Sequence, residues 1–120
     1  MDRMDKINHQ IQKEISIIVQ QELGDPRLKF VTITKGDVSR DLKSARISFS
    51  VLGNHQKIED AKKGLEKAKG LIRKFVGERM GMRYTPELVF IHDRSLEYSA
   101  RIEETLKEIH NDLEKNSADD

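Results

Sequence analysis

The chain contains no cysteine and no tryptophan among its 120 residues, and only two prolines. The absence of cysteine excludes disulfide bonds, thiolate metal sites and a cysteine nucleophile. No apolar run approaches the roughly 18 residues that span a bilayer, and the first residues lack the apolar core of a signal peptide. We therefore expect a soluble cytoplasmic protein of one domain, with no membrane partner and no room for a deep substrate cavity.

Aromatic residues are also scarce, at 5% of the chain. Phe49, Phe75 and Phe90 fall on predicted apolar faces, where they would serve as packing residues. So few exposed rings argue against a protein that reads loose single strands by stacking, and favour recognition of folded RNA by shape and backbone. The remaining candidates for exposed stacking are Phe30, Tyr84 and Tyr98.

Sequence motifs for catalysis are missing as well. The chain has no phosphate-cradling Gly-x-x-x-x-Gly-Lys-Ser/Thr loop and no Gly-x-Gly-x-x-Gly loop. Asp25, Asp41 and Asp93 lie in predicted turns, where local hydrogen bonding accounts for them. We expect no enzymatic activity (a hydrolase is the weakest alternative), no metal, no cofactor and no small-molecule substrate. The histidines show no metal-ligand spacing: His9, His55, His92 and His110.

The charges are segregated along the chain although the net charge is only +1. Residues 31–83 carry 13 basic against 6 acidic side chains, whereas residues 84–120 carry 4 basic against 10 acidic. This separation is compatible with an ordinary solvated surface. It is also typical of a phosphate-binding face, since phosphate contacts need clustered lysine and arginine.

Apolar periodicity predicts a helix over residues 3–23, with Asp2 or Asp5 at its start and Gly24 at its end. Its stripe is formed by Ile7, Ile11, Ile15 and Ile18. Alternation then predicts strands over 30–34 and 45–51. A bulge at Gly36 would return Val38 to the inward face, although a simple strand end is also compatible with the pattern.

Residues 57–81 keep one helical phase, yet Gly64 and Gly70 interrupt it. Each glycine costs roughly 1 kcal/mol relative to alanine, so we predict two packed helices or one kinked helix. The break is expected within two residues of Lys69, with Ala68 and Gly70 as the interhelical kink. The stripe comprises Ile58, Ala61, Leu65, Ala68, Ile72 and Phe75.

A strand over 87–93, covered on part of both faces, should run parallel to the second strand because a helical crossover joins them. Ser95 can begin a final helix that extends to Leu113. The expected fold is α+β: one domain over residues 1–113, with helices packed on a three-stranded sheet, and an acidic disordered tail over 114–120.

The candidate binding surface lies on the helix over 57–81. Lys63, Lys67 and Lys74 fall within about 40° of one another on a helical wheel, opposite the apolar stripe. Residues 57–83 carry nine basic against four acidic side chains, which leaves most of the positive charge unpaired. An ordinary solvated helix and a protein-interaction module that binds an acidic partner are the alternatives. The full candidate set is Lys63, Lys67, Lys69, Arg73, Lys74, Arg79 and Arg83, followed by Arg40, Lys43 and Arg46 of the hairpin.

Short segments in this order resemble bacterial ribosome-binding factor A, from residue 3 to about residue 110. The combination is specific although each segment alone is weak. The segments are Asp25-Pro26-Arg27, Val31-Thr32-Ile33-Thr34, Val38-Ser39 with Asp41-Leu42, Ala68-Lys69-Gly70, and Arg83 with Pro86-Glu87-Leu88.

The resemblance implies a KH-type fold of the second topology. It also implies binding to free 30S small ribosomal subunits, late maturation of 16S rRNA and its precursor near the 5′ end, and adaptation to cold; we expect a monomer. KH domains usually carry a Gly-x-x-Gly loop, but here three residues instead of two separate Gly77 from Gly81. The family replaces that loop with an Ala-x-Gly kink, here Ala68-Lys69-Gly70, which favours docking on structured rRNA.

Overall fold

The computed structural model describes residues 1–94, in which two helices pack against a three-stranded sheet. This confirms the α+β fold expected from the sequence. The helix predicted from Ser95 and the tail over 114–120 lie outside the described residues. The elements are α1 (Arg3–Gln21), a 3₁₀ turn (Pro26–Leu28), β1 (Val31–Val38), β2 (Ser44–Val51), α2 (His55–Met80) and β3 (Glu87–His92).

Strand β2 lies at the centre of the sheet. It pairs with β1 as an antiparallel hairpin, from Val31 opposite Val51 to Val38 opposite Ala45. It pairs with β3 in parallel, with Ala45 opposite Leu88. The predicted parallel direction of the last strand is therefore confirmed.

The irregularity in β1 lies at Thr34, so the bulge predicted at Gly36 is wrong in position. Ile33 is opposite Phe49 but Lys35 is opposite Ser48, which leaves Thr34 as the extra residue. The consequence for the strand is the predicted one, because the extra residue returns Val38 to the buried face.

Gly36 has a different role, which is to let α1 approach the sheet. A Cβ atom at this position would lie 2.8 Å from Ile11 Cγ2 and 3.0 Å from the carbonyl oxygen of Asn8. The side chains of α1 also bond to the backbone of β1. Gln12 donates to the carbonyl oxygen of Ile33 at 2.8 Å, and Gln20 donates to that of Val31 at 2.7 Å. Helix α1 therefore satisfies polar groups of an edge strand.

The core lies between the helices and one face of the sheet. Phe49 is fully buried, as expected from the sequence, and Phe75 and Phe90 pack at its margin. No polar or charged residue is buried within residues 1–94. The largest buried side chains besides Phe49 are Ile11, Ile15, Ile18, Leu28, Ile47, Leu65, Ile72 and Leu88.

Helix α2 runs without a break from Asn54, whose side chain accepts a bond from the Lys57 amide, to Gly81 in the left-handed conformation. The predicted alternative of two separate helices, with a break within two residues of Lys69, is therefore wrong. A bend of the single helix at Ala68 and Gly70 stays a prediction. Gly70 is exposed and nothing lies within 4 Å of the place where its Cβ would be. The modest cost of this glycine is outweighed by the burial of apolar side chains on both sides of it.

Gly70 has open space around it and Gly36 has none, so replacing each of them with alanine tests this account of the fold. We expect Gly70→Ala to raise the free energy of unfolding by about 0.5–1 kcal/mol, since it adds helix propensity without a clash. Gly36→Ala should lower it by about 1–3 kcal/mol, because the added methyl group meets α1. Urea unfolding followed by circular dichroism measures both. A destabilised Gly70→Ala variant would show that the helix needs glycine at this position.

Candidate nucleic-acid interface

The burial of one stripe of α2 decides which of its side chains face the solvent. Leu65, Ile72 and Val76 are fully buried against the rest of the core. Lys63, Lys67 and Lys74 are exposed, as their position on the helical wheel predicts. We refer to these three lysines as the outer α2 face.

The outer α2 face is a row of exposed positive charges. From its first to its last lysine the row extends about 16 Å along the helix, at a rise of about 1.5 Å per residue. None of the three lysines forms an ion pair with another residue of the part that the structure describes. Cations without an ion-pair partner remain available to attract a polyanion.

Two other predicted binding residues, Lys69 and Arg79, form ion pairs with acidic side chains of the protein. Lys69 Nζ lies 2.9 Å from Glu66 one turn earlier, and also lies over the ring of Phe90. Arg79 pairs with Glu22 at 2.6 Å and with Glu14 at 3.6 Å, so it joins the end of α2 to α1. These partners reduce the charge that Lys69 and Arg79 can offer to a ligand.

Arg73 holds the segment before β3. Its Nη2 donates to the carbonyl oxygen of Thr85 and its Nε to that of Pro86, each at 3.0 Å. The sequence suggested a phosphate contact, and nothing in the sequence pattern signalled this tertiary role. The geometry assigns the guanidinium first to fixing the α2–β3 loop.

The Asp25-Pro26-Arg27 segment fixes the 3₁₀ turn beside α2. The Asp25 carboxylate accepts bonds from the Arg27 backbone amide at 2.9 Å and from its guanidinium at 2.8 Å. These bonds hold the pKa of Asp25 below its ordinary value, with a smaller contribution from the nearby charge of Lys67. Leu28 of the turn packs against Gly64, where a Cβ atom would lie 3.0 Å from Leu28 Cδ2.

The hairpin candidates Arg40, Lys43 and Arg46 are exposed and form no ion pair within residues 1–94. Their turn is ordered by Asp41, whose Oδ1 accepts bonds from the Ser39 hydroxyl at 2.6 Å and from the Lys43 amide at 3.0 Å. These bonds lower the pKa of Asp41, and the bond from Ser39 makes the largest contribution. Asp25 and Asp41 are thus turn residues, as expected.

The structure brings Lys43 and Arg83 to one groove, although the sequence placed them on separate candidate surfaces. The groove has a volume of about 580 Å³ and also includes Tyr84.

Of the three aromatic side chains expected to be exposed, Tyr84 is 80% exposed, and Phe30 is half covered with two lysine cations near its ring. Tyr98 lies outside the described residues.

Residues 1–94 contain neither a candidate metal cluster nor a candidate membrane span. No group of three or more histidine or carboxylate side chains there could hold a metal ion. Neither described helix is both long and apolar enough to cross a membrane. The exposed row of lysines on α2 is the candidate functional surface of the described residues.

The fold and this row define a small α+β protein with a basic helix face, an arrangement typical of nucleic-acid-binding modules. The family model of Ribosome-binding factor A matches residues 3–106. The Ribosome-binding factor A of Halothermothrix orenii is 44% identical over 107 residues, covering 89% of this chain and 88% of the relative. This chain belongs to the ribosome-binding factor A family.

Solved structures support the same assignment of fold. The crystal structure of ribosome-binding factor A from Thermus thermophilus aligns with a TM-score of 0.70 at 22% identity, over 78% of this chain and all of the other. A homology model of the Thermus thermophilus protein, fitted into a cryo-EM map of its complex with the 30S subunit, aligns with a TM-score of 0.62 at 24% identity. It covers 72% of this chain and 91% of that one.

The Asp25 turn gives a test of how the site is supported. Asp25→Ala should destabilise the protein by about 1 kcal/mol, since it removes the oxygen that caps the turn. Asp25→Asn keeps a capping oxygen and should cost less. The folded-state pKa of Asp25 is lowered, so its ionised carboxylate stabilises the folded protein at neutral pH. This stabilisation is lost as the pH falls through that pKa.

Urea unfolding of wild type and Asp25→Asn at neutral and at acidic pH measures this contribution. We expect the difference between the two proteins to shrink as the carboxylate becomes protonated. A difference that stays the same or grows at low pH would contradict the assigned role of the charge.

Proposed function

We propose that this protein is a non-catalytic ribosome assembly factor that acts as a monomer in the cytoplasm. It binds free 30S small ribosomal subunits through 16S rRNA, and assists late maturation and 5′-end processing of 16S rRNA and its precursor. Adaptation to cold is the physiological setting implied by the resemblance to the family. No cofactor and no small-molecule substrate take part.

The exposed row of Lys63, Lys67 and Lys74 is the observation that carries this proposal. A fixed helix presents the three lysines in one direction, and no acidic side chain within residues 1–94 pairs with them. Family membership supports the ribosome as the partner. The Thermus thermophilus protein fitted into the map of a 30S complex supports the small subunit in particular.

We also propose that the fold is of the KH type. The α-β-β-α-β order of the described elements agrees with it, whereas the chain lacks the Gly-x-x-Gly loop of ordinary KH domains. Since α2 continues through Ala68-Lys69-Gly70, this segment presents a continuous helical surface. A rigid row of this kind suits the phosphates of folded RNA better than a flexible single strand.

Changing Lys67 and Lys74 together to glutamine tests the outer α2 face. If four or five phosphates are neutralised, the wild-type affinity for 30S subunits should fall with salt with a log–log slope of about −3 to −5. The double variant should flatten that slope by about one to two units. The measurement is co-sedimentation with purified 30S subunits over a series of salt concentrations.

The matched control is Lys6→Gln with Lys13→Gln on α1, which removes the same charge from exposed positions outside α2. We expect it to change the slope less, and expect all variants to melt within a few degrees of wild type. An unchanged slope in a folded Lys67/Lys74 variant would refute this surface and direct attention to the hairpin candidates. If it binds 30S subunits less well but protein-free 16S rRNA equally well, the face contacts an acidic protein instead.

A further inference from the structure

A groove at one end of the sheet lies between the β1–β2 turn and the α2–β3 loop. Leu42 and Lys43 line it from the turn, and Arg83 and Tyr84 line it from the loop. The two segments are held together, because the Glu87 amide donates to the Lys43 carbonyl oxygen at 2.9 Å. The groove is therefore a fixed feature of the fold.

The groove exposes the ring of Tyr84 beside the cations of Lys43 and Arg83. Tyr84 is 80% exposed, so its ring is open to contact with a ligand. The guanidinium of Arg83 lies 5.7 Å from the centre of the ring. Leu42, whose φ of 61° turns the backbone sharply at this point, is 40% exposed. An apolar plane and two cations thus stand together.

We infer that this groove binds one unpaired nucleotide of the RNA to which the protein attaches. The base stacks on the Tyr84 ring, and the ammonium of Lys43 and the guanidinium of Arg83 neutralise its phosphate. The inference rests on the proposed function, and adds to it a second contact at a surface other than the outer α2 face. A volume of about 580 Å³ lies in the range of pockets that hold a small ligand, and one nucleotide is of that size class.

The acidic residue of the groove is compatible with this occupant. The two hydrogen bonds to Asp41, from the Ser39 hydroxyl and the Lys43 amide, both go to Oδ1. They also lower the pKa of this carboxylate below its ordinary acidic value. Oδ2 can then accept a bond from a ribose 2′-hydroxyl, the group that distinguishes RNA from DNA.

The low aromatic content agrees with a single stacked base. One exposed tyrosine provides a platform for one base, whereas proteins that track single strands stack successive bases on several rings. The groove therefore supplies a local contact with an unpaired nucleotide that projects from folded RNA.

Nuclear magnetic resonance can observe the stacking directly, because the chain has only two tyrosines, Tyr84 and Tyr98. In the Tyr98→Phe protein every tyrosine ring signal belongs to Tyr84. On titration with single-stranded hexaadenylate RNA we expect these signals to move upfield. Hexaadenylate DNA should have a weaker effect, and so should Tyr98→Phe protein that also carries Lys43→Gln and Arg83→Gln. Ring signals that stay in place at saturating RNA would overturn the inference.

Binding to 30S subunits gives the second measurement. Tyr84→Ala should lower the affinity by about 5- to 150-fold, the range for loss of one stacked base, with the salt slope unchanged. Tyr84→Phe should keep the affinity within about twofold, since the ring remains. Equal affinities of wild type and Tyr84→Ala would exclude the groove from the interface.

The two proposals can fail separately. A Lys67/Lys74 double variant with a wild-type slope, together with a Tyr84→Ala variant that binds weakly, would reject the outer α2 face and retain the groove. The reverse pattern would reject the groove alone. If Tyr84→Ala weakens 30S binding but hexaadenylate leaves the Tyr84 signals unmoved, the groove holds a ribosomal protein chain, and the nucleotide assignment is wrong.

Discussion

The packing of α2 against the inner face of the sheet is the constraint on which the rest of the structure depends. Leu65, Ile72 and Val76 are completely buried, so the helix has one rotation about its axis that satisfies the core. That rotation points Lys63 and Lys67 to the solvent. The same hydrophobic contacts that stabilise the fold therefore orient the charges of the proposed binding face.

Most of the fold could be predicted from the sequence because its elements have clear periodicity. Helix α1, the alternating strand β2 and the parallel direction of β3 follow from apolar spacing and from the handedness of crossovers. The features that were misplaced depend on tertiary packing. At Gly36 the close approach of α1 explains the glycine, and at Gly70 core contacts on either side maintain a continuous helix. Neither contact is visible in local sequence.

The sequence predicted which residues give the candidate site its positive charge, but not all of the contacts that these residues make. The pair between Lys69 and Glu66 follows from a spacing of three residues on a helix, and the sequence could have indicated it. The bonds of Arg73 to the backbone before β3, and the groove shared by Lys43 and Arg83, join segments far apart in the chain. Such contacts require the three-dimensional arrangement. Three lysines then remain as an unpaired row, and the tyrosine beside the groove gains a role in the proposed interface.

Directed cleavage of rRNA tests the central claim, that the outer α2 face meets RNA in the 30S complex. The chain has no cysteine, so Lys63→Cys provides one attachment point for an iron chelate that generates hydroxyl radicals, and Lys13→Cys on α1 provides the control. The account predicts strong, localised cuts in 16S rRNA from position 63 and weaker cuts from position 13. Strong cleavage from position 13, with none from position 63 in a complex of wild-type affinity, would contradict it.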